Sequence, residues 1–244
     1  MAPLLLRGHA HNDYTHARPL FQALENGYTS IEIDVFLHKG KLIVSHIPVG
    51  LDLKKTIEQL YLEPIKKVIT QNGGTVYKGF DTPVIFMIDF KTDGTETYEQ
   101  LKKILKNYEN LITVYRHDSV IGQRAINILI SGSSPQSALL KEDSSVATLD
   151  GNIQSMSDNN ASKVCTRYSS AWESYFSWIG IGTMPACQKA KLDSLVTASH
   201  EINKQIRFYH IPDNPKTWKV LLDAKVDWIN TNKLVAFRKF CLKK

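Results

Sequence analysis

Two carboxylates alternate with aliphatic side chains in residues 31–36, at Glu32 and Asp34. Because successive side chains of a β-strand point to opposite faces, both carboxylates should share one face and the apolar side chains the other. Two like charges so close together in a poorly solvated place need compensation. A divalent cation with oxygen ligands would supply it, and so would lysine or arginine side chains. We favour the metal, since unpaired buried carboxylates are so costly.

A third acidic side chain ends the apolar run 84–88, where Asp89 is followed two residues later by Lys91. Both should face the same way, because they are two positions apart in an extended segment. Asp89 would complete a three-carboxylate metal site, and Lys91 would hold a phosphate oxygen as a point charge. The structural alternative is an Asp–Lys ion pair at the end of a strand.

Histidines flank this predicted carboxylate site. His11 follows the first predicted strand, and His46 ends a predicted hairpin after the second. Two imidazoles on opposite sides of a phosphodiester can act as base and acid, while a metal and Lys91 stabilise charge on the phosphoryl oxygens. A lone surface histidine usually has no such role, but two beside a carboxylate cluster favour catalysis.

The pair His9 and His11 allows a different interpretation. A His-x-His pair after the first strand is typical of amidohydrolase-type barrels, where both histidines bind metal. Those sites also need His or Lys on the middle strands and often an Asp at the end of strand eight, where this chain has Asn230. The predicted middle strands show no inward histidine, so this alternative ranks second.

Apolar runs bounded by turn residues alternate with segments of helical periodicity. The predicted strands are 4–8, 31–36, 84–89, 126–131, 146–149, 164–168, 206–211 and 227–231. The predicted helices are 19–26, 56–71, 96–106, 187–201, 215–223 and the tail from 233, with a hairpin at 37–45 and an extra strand at 111–116. This alternation predicts an α/β fold, a single (β/α)₈ TIM barrel over residues 1–244. Chemistry in such barrels lies at the C-terminal ends of the strands.

The 244 residues include 30 Lys and Arg against 24 Asp and Glu, for a formal net charge of +6. This balance suits an anionic small-molecule substrate or contact with a membrane surface. The lysines are spread along the chain without the aromatic–basic pattern of a nucleic-acid module, so we expect no nucleic-acid partner. No apolar run approaches the roughly 20 residues of a transmembrane helix. The sequence carries no signal of oligomeric state.

Residues 1–7 are too short for a signal peptide and lead directly into the first predicted strand. An exported or periplasmic location is compatible with this if a signal has been removed ahead of residue 1. Three widely spaced cysteines form no CxxC pair, and we interpret them as buried or incidental.

Residues 8–46 resemble the glycerophosphodiester phosphodiesterase family, within the phosphatidylinositol-phospholipase-C-like phosphodiesterases. That family has a histidine after strand one, a helix and a glycine, an E-x-D motif and a closing histidine. The corresponding residues here are His11, Gly27, Glu32-Ile33-Asp34 and His46.

Two further segments extend the resemblance. Asp89-Phe90-Lys91 resembles the family's third acidic ligand with its following lysine, with Asp where Glu is more usual, as in the related spider-venom phospholipases D. Residues 226–232 resemble the strand-eight signature, with Asn232 where Asp is common.

The family's usual His-Arg-Gly is reordered in residues 7–11, so His9 competes with His11 for the role of first catalytic histidine. The order His-Asn-Asp-Tyr is closest to a subgroup of bacterial members, and fungal proteins named for altered mitochondrial inheritance share it. We therefore prefer His11, and keep His9 and Asn12 in reserve.

The resemblance implies a phospholipase-C-like TIM barrel that cleaves glycerophosphodiesters, lysophospholipids or related phospholipid head groups. A substrate hydroxyl would attack phosphorus to give a cyclic phosphate, while one histidine takes the proton and the other protonates the leaving alcohol. The implied cofactor is one divalent cation, Ca²⁺ or Mg²⁺, bound by Glu32, Asp34 and Asp89. A barrel that binds phosphodiesters without cleaving them is the third hypothesis.

Overall fold

Eight parallel strands close into a barrel in the computed structural model, which describes residues 3–158 and 163–243. The strands are β1 (Leu5–Ala10), β2 (Tyr28–His38), β3 (Lys41–Val44), β4 (Val84–Phe90), β5 (Val114–Arg116), β6 (Ser119–Gly122), β7 (Ile126–Gly132), β8 (Thr148–Asn152), β9 (Cys165–Ala171), β10 (Gln205–Tyr209) and β11 (Trp228–Thr231). The barrel order is β1-β2-β4-β7-β8-β9-β10-β11, and β1 closes it by pairing with both β2 and β11. The predicted TIM barrel is confirmed. The assignment of residues 1–244 to a single domain stays a prediction.

Helices cover the outside of the barrel. Within the described residues they are α1 (Phe21–Glu25), α2 (Glu63–Gln71), α3 (Gly94–Leu105), α4 (Gln136–Leu139), α5 (Ala186–Glu201), α6 (Pro215–Asp223) and α7 (Leu234–Leu242). Ile33 of β2 is fully buried in one hydrophobic cluster with Ile65 of α2 and Leu101 of α3. Its neighbours Glu32 and Asp34 therefore point to the opposite face, into the barrel.

Strand β1 is longer than predicted at its C-terminal end. It runs to Ala10 because Gly8, His9 and Ala10 pair with successive residues of β11. His9 therefore lies inside the barrel wall, and His11 is the first residue beyond it. This register separates the two histidines that the sequence left in competition.

Other boundaries also differ from the prediction. The helix predicted at 56–71 begins with a π-helical turn, Glu58–Leu62, and continues as α2 without a break. Pro64 lies directly after the π-helical turn, and because it has no N–H it leaves one carbonyl of that turn without a helical partner. The extra strand predicted at 111–116 belongs to the antiparallel β5–β6 hairpin. Across the two described ranges, no helix combines the length and apolar character that crossing a bilayer requires.

The start of α6 provides a test of local stability. The side-chain oxygen of Asn214 accepts hydrogen bonds from the backbone N–H groups of Lys216 and Thr217, at 3.0 and 3.1 Å. Asn214→Ala leaves these donors without their partner, so we expect the free energy of unfolding to fall by about 1 kcal/mol in urea denaturation. Asn110→Ala, at an exposed position, is the control and should leave the midpoint unchanged. An equal loss in both variants would contradict the capping role.

Candidate functional site

Three carboxylates meet at the mouth of the barrel, the end at which the parallel strands have their C-termini. Asp34 of β2 and Asp89 of β4 are direct register partners, and Glu32 lies two residues earlier on the same face of β2. One oxygen from each of the three side chains lies within 4.8 Å of the others. The alternation seen in the sequence therefore brings all three predicted metal ligands together.

Asp34 is fully buried at the centre of this cluster. Its Oδ2 accepts a hydrogen bond from the Tyr14 hydroxyl at 2.8 Å and contacts the Lys91 ammonium at 3.0 Å. His46 Nδ1 lies 3.0 Å from the same oxygen. Asp34 Oδ1 is also buried, and it has no hydrogen-bond partner among the residues that the structure describes. A buried carboxylate oxygen without a donor is suited to bind a cation.

Lys91 lies between two of the carboxylates. Its ammonium is 3.0 Å from Asp34 Oδ2 and 3.1 Å from Asp89 Oδ1. Burial, reinforced by the charges of Asp34 and Glu32, raises the pKa of Asp89 against the opposing effect of Lys91. Burial alone would lower the pKa of Lys91, but the two aspartates outweigh it and raise that pKa. A basic side chain thus compensates part of the negative charge, as the structural alternative to a metal predicted.

Glu32 has two buried partners below the cluster. Its Oε2 lies 2.8 Å from His9 Nε2 and 3.2 Å from Arg207 Nη1. Burial by itself would raise the pKa of Glu32, but the hydrogen bond with His9 and the charge of Arg207 lower it below its usual range. Glu32 is therefore ionised, with its charge directed towards the interior of the barrel.

His9 is fully buried and both of its ring nitrogens are engaged. Nδ1 lies 2.7 Å from Ser30 Oγ, and Nε2 faces Glu32. Burial and the charge of Arg207 lower the pKa of His9 to about 3, so the imidazole is neutral. Nε2 also lies 2.9 Å from Arg207 Nη1, so the neutral ring either donates from Nε2 to Glu32 or accepts there from Arg207. His9 thus supports Glu32 from below, away from the cavity.

Arg207 of β10 was missed in the sequence. Its guanidinium donates to Ser169 Oγ at 3.0 Å and to Asn230 Oδ1 at 3.0 Å, and it forms ion pairs at 3.2 Å with both Glu32 and Asp150. The signal was available, because Arg207 alternates with apolar neighbours just as Glu32 does. That alternation predicts an inward side chain, but not the strand across the barrel that it contacts.

The two predicted catalytic histidines face one cavity of about 530 Å³, which Asn12, Glu32 and Asp89 also line. His11 Nδ1 lies 2.8 Å from the side-chain oxygen of Asn232, and His46 Nδ1 lies 3.0 Å from Asp34. Because each Nδ1 faces an oxygen that only accepts, it carries the proton in the neutral ring. Each Nε2 is then the nitrogen left to exchange a proton with a substrate.

The loop between β1 and α1 is held in place by the His-Asn-Asp motif. Asn12 adopts left-handed backbone angles, φ 48° and ψ 47°, which asparagine tolerates better than most residues. Asp13 is buried and accepts hydrogen bonds from the N–H of Leu20 and the hydroxyl of Tyr61. This loop also carries Tyr14, which was not predicted as a site residue and which contacts both Asp34 and His46. Burial and the charge of Asp34 raise the pKa of Tyr14, so its phenol stays protonated.

Comparison with known proteins identifies the family. Residues 3–148, more than half of the chain, match the AIM6-like phosphodiesterase domain. The Altered inheritance of mitochondria protein 6 of Eremothecium gossypii is 30% identical, over 98% of this chain and 70% of that protein. The chain belongs to the AIM6-like phosphodiesterase family. The Candida glabrata protein of the same name is 23% identical, over 92% of this chain and 67% of that protein.

Solved structures share the fold of this AIM6-like phosphodiesterase domain. A glycerophosphodiester phosphodiesterase from Parabacteroides distasonis superposes with a TM-score of 0.61 at 15% identity, covering 97% of each chain. An Oleispira antarctica phosphodiesterase, solved with the product sn-glycerol-3-phosphate, gives a TM-score of 0.57 at 13% identity, covering 98% of this chain and 97% of that one. The family resemblance predicted from the sequence is confirmed.

The buried ion pairs of Arg207 predict a large effect on stability. Arg207→Met leaves the carboxylates of Glu32 and Asp150 buried without their cation, so we expect a loss of about 3–5 kcal/mol in the free energy of unfolding. Arg116→Met, at an exposed site, should change it by less than about 0.5 kcal/mol.

Adding Glu32→Gln to Arg207→Met should cost less than the sum of the single changes, because one unpaired carboxylate is then gone. Urea denaturation of Arg207→Met, Glu32→Gln, the double variant and the control Arg116→Met measures this difference. A loss below about 1 kcal/mol for Arg207→Met would show that the network does not support the fold.

Proposed function

We propose that this protein is a metal-dependent phosphodiesterase that cleaves glycerophosphodiesters or related phospholipid head groups by histidine acid–base catalysis. One observation carries the proposal: Glu32, Asp89, Lys91 and two imidazoles line a single cavity, and the third carboxylate, Asp34, lies buried behind them in contact with Lys91. The ligand of the Oleispira antarctica phosphodiesterase, sn-glycerol-3-phosphate, supports a glycerol phosphate as part of the substrate.

The side chains present fit a divalent cation. Glu32, Asp34 and Asp89 offer only hard oxygen ligands, the type that Ca²⁺ and Mg²⁺ prefer. Asp34 Oδ1 has no donor within the described part of the chain, so one ligand atom is already free. A cation held there would neutralise charge on the phosphoryl oxygens and position the substrate. Lys91 would contribute a second positive charge at the same place.

The imidazoles divide the proton transfers between them. One Nε2 accepts the proton of the attacking hydroxyl, and the protonated Nε2 of the other delivers a proton to the leaving alcohol. Asn232 orients His11 through its Nδ1, and Asp34 with Tyr14 orients His46 in the same way. The first step gives a cyclic phosphate, and water with the same two histidines in exchanged roles opens it.

The amidohydrolase-type alternative needs His9 among the metal ligands. His9 is buried with both ring nitrogens engaged, and it does not line the cavity, so no observation favours that alternative. A phosphodiester-binding barrel without activity would use the same carboxylates and Lys91. It differs only in forming no product.

Metal binding is tested by calorimetric titration of chelator-treated protein with Ca²⁺ and Mg²⁺. We expect one ion per chain and an increase in melting temperature, because the ion binds only the folded state. Asp34→Asn should weaken binding by at least about tenfold, equal to about 1.4 kcal/mol. Asp52→Asn, in an exposed part of the chain, is the matched control. The absence of binding at millimolar metal would leave the Lys91 ion pairs as the full compensation and contradict the proposal.

Catalysis is tested with His11→Asn and His46→Asn, which keep a hydrogen-bonding group near the Nδ1 position but remove Nε2. Each should lower kcat by about 10²–10⁴-fold on a panel of glycerophosphodiesters while metal binding persists. His117→Asn, an exposed histidine of the β5–β6 turn, is the control and should retain full activity. Identifying the products separates cyclic phosphate from phosphomonoester. Normal rates in both site variants would refute the histidine assignment.

A further inference from the structure

Two loops carry five exposed aliphatic side chains between them. Ile47, Val49 and Leu53 lie between β3 and α2, with 56%, 76% and 43% of their surface exposed. Ile179 and Ile181 lie between β9 and α5, with 66% and 72% exposed. Single exposed aliphatic residues are common on soluble proteins, but clustered ones mark contact surfaces. We call these five side chains the apolar rim.

Both loops belong to the mouth of the barrel. Ile47 directly follows His46, which lines the cavity. The second loop extends from the C-terminal end of β9, and Gly180 packs against Asn214 and Thr217 at the start of α6. In the barrel order, β2 and β9 are separated by four steps in either direction. The two halves of the apolar rim therefore lie on opposite sides of the cavity.

The 172–185 loop is built to hold its isoleucines outward. Trp172 Nε1 donates to the carbonyl of Trp178, and Trp178 Nε1 donates to the carbonyl of Ile181, both at 2.8 Å. The Gln188 side chain accepts from the Trp178 N–H at 3.0 Å. Both tryptophan rings are buried while Ile179 and Ile181 project. The exposure of these two residues is thus a fixed feature of the loop.

Basic residues accompany the apolar rim. Lys54 and Lys55 directly follow Leu53 and are exposed, against one acidic neighbour, Asp52. On the other side, Lys191 of α5 donates to the Tyr175 carbonyl at 3.3 Å and lies 5.0 Å from the centre of the Tyr175 ring, and the exposed Glu173 of this loop lies 3.0 Å from His210 Nδ1. Apolar side chains flanked by lysine are typical of segments that bind the interface of an anionic bilayer.

We propose that the apolar rim docks the mouth of the barrel onto an anionic phospholipid bilayer, with the isoleucines, Val49 and Leu53 inserted among the head groups and the lysines at the lipid phosphates. The inference rests on the proposed function in one respect: docking in this orientation presents the cavity directly to phospholipid head groups. A second copy of the chain bound to both halves of the apolar rim would instead cover the opening of the cavity.

Vesicle sedimentation tests the docking, with one set of vesicles of phosphatidylcholine and another containing phosphatidylglycerol. The protein should bind the anionic vesicles more tightly, and salt should weaken this binding. The paired changes Ile47→Ser with Val49→Ser, and Ile179→Ser with Ile181→Ser, should each lower the partition coefficient about tenfold, because two aliphatic side chains no longer insert.

The control pair is Val120→Ser with Ile121→Ser. These side chains are about half exposed on β6, in the hairpin that precedes the N-terminal end of β7, at the opposite end of the barrel. This pair should change binding by less than about twofold if the apolar rim alone inserts. Equal losses in control and rim variants, or no binding by the unchanged protein, would overturn the proposal. A dimer in light scattering that the rim variants dissociate, without vesicle binding, would assign the surface to a second copy.

Two further measurements separate docking from catalysis. His11→Asn should bind vesicles as well as the unchanged protein does, because the apolar rim is intact. The rim variants should hydrolyse a water-soluble glycerophosphodiester at the normal rate and lose activity only on vesicle-bound substrate. Absent hydrolysis with normal vesicle binding refutes the proposed function alone. Normal hydrolysis without vesicle binding refutes the docking alone.

Discussion

The concentration of negative charge at the mouth of the barrel is the constraint on which the rest of the site depends. Glu32, Asp34 and Asp89 approach within 4.8 Å of one another where little water reaches them. Like charges in such a medium repel strongly, so each needs a donor or a cation. Lys91 supplies one from the cavity side and Arg207 another from below. Within the described residues Asp34 Oδ1 has no hydrogen-bond partner, which the ion pairs alone do not explain.

Compensation from below has a structural consequence for the histidines. His9 is held neutral between Ser30, Glu32 and Arg207, so it acts as part of the support for the carboxylates. His11, two residues later, has left the strand and reaches the cavity. Because β1 runs two residues further than the sequence predicted, His9 lies within the barrel wall and His11 lies at the cavity.

The surface around the cavity determines how a lipid substrate would reach the carboxylates. A diester that is embedded in a bilayer by its lipid tail reaches a polar cavity lined by carboxylates only if the mouth of the barrel faces the bilayer surface. The apolar rim and the lysines beside it lie at that end of the barrel. Hydrogen bonds from the buried rings of Trp172 and Trp178 hold the 172–185 loop in place. Chemistry and docking would thus share one face of the molecule, which is the face where the loops of this fold vary most freely.

The sequence by itself determined the barrel and the carboxylate set, because both follow from periodicity within single strands. Alternation predicts that Glu32 and Asp34 share a face, and Asp89 and Lys91 end an apolar run. The tertiary structure alone decided which partners cross the barrel, since Arg207 contacts Glu32 over 175 positions of chain. It also placed His9 inside the barrel wall and His11 at the cavity, because pairing with β11 sets where β1 ends. Tyr14 and the apolar rim lie in irregular loops, where no periodicity predicts a direction and long-range packing decides it.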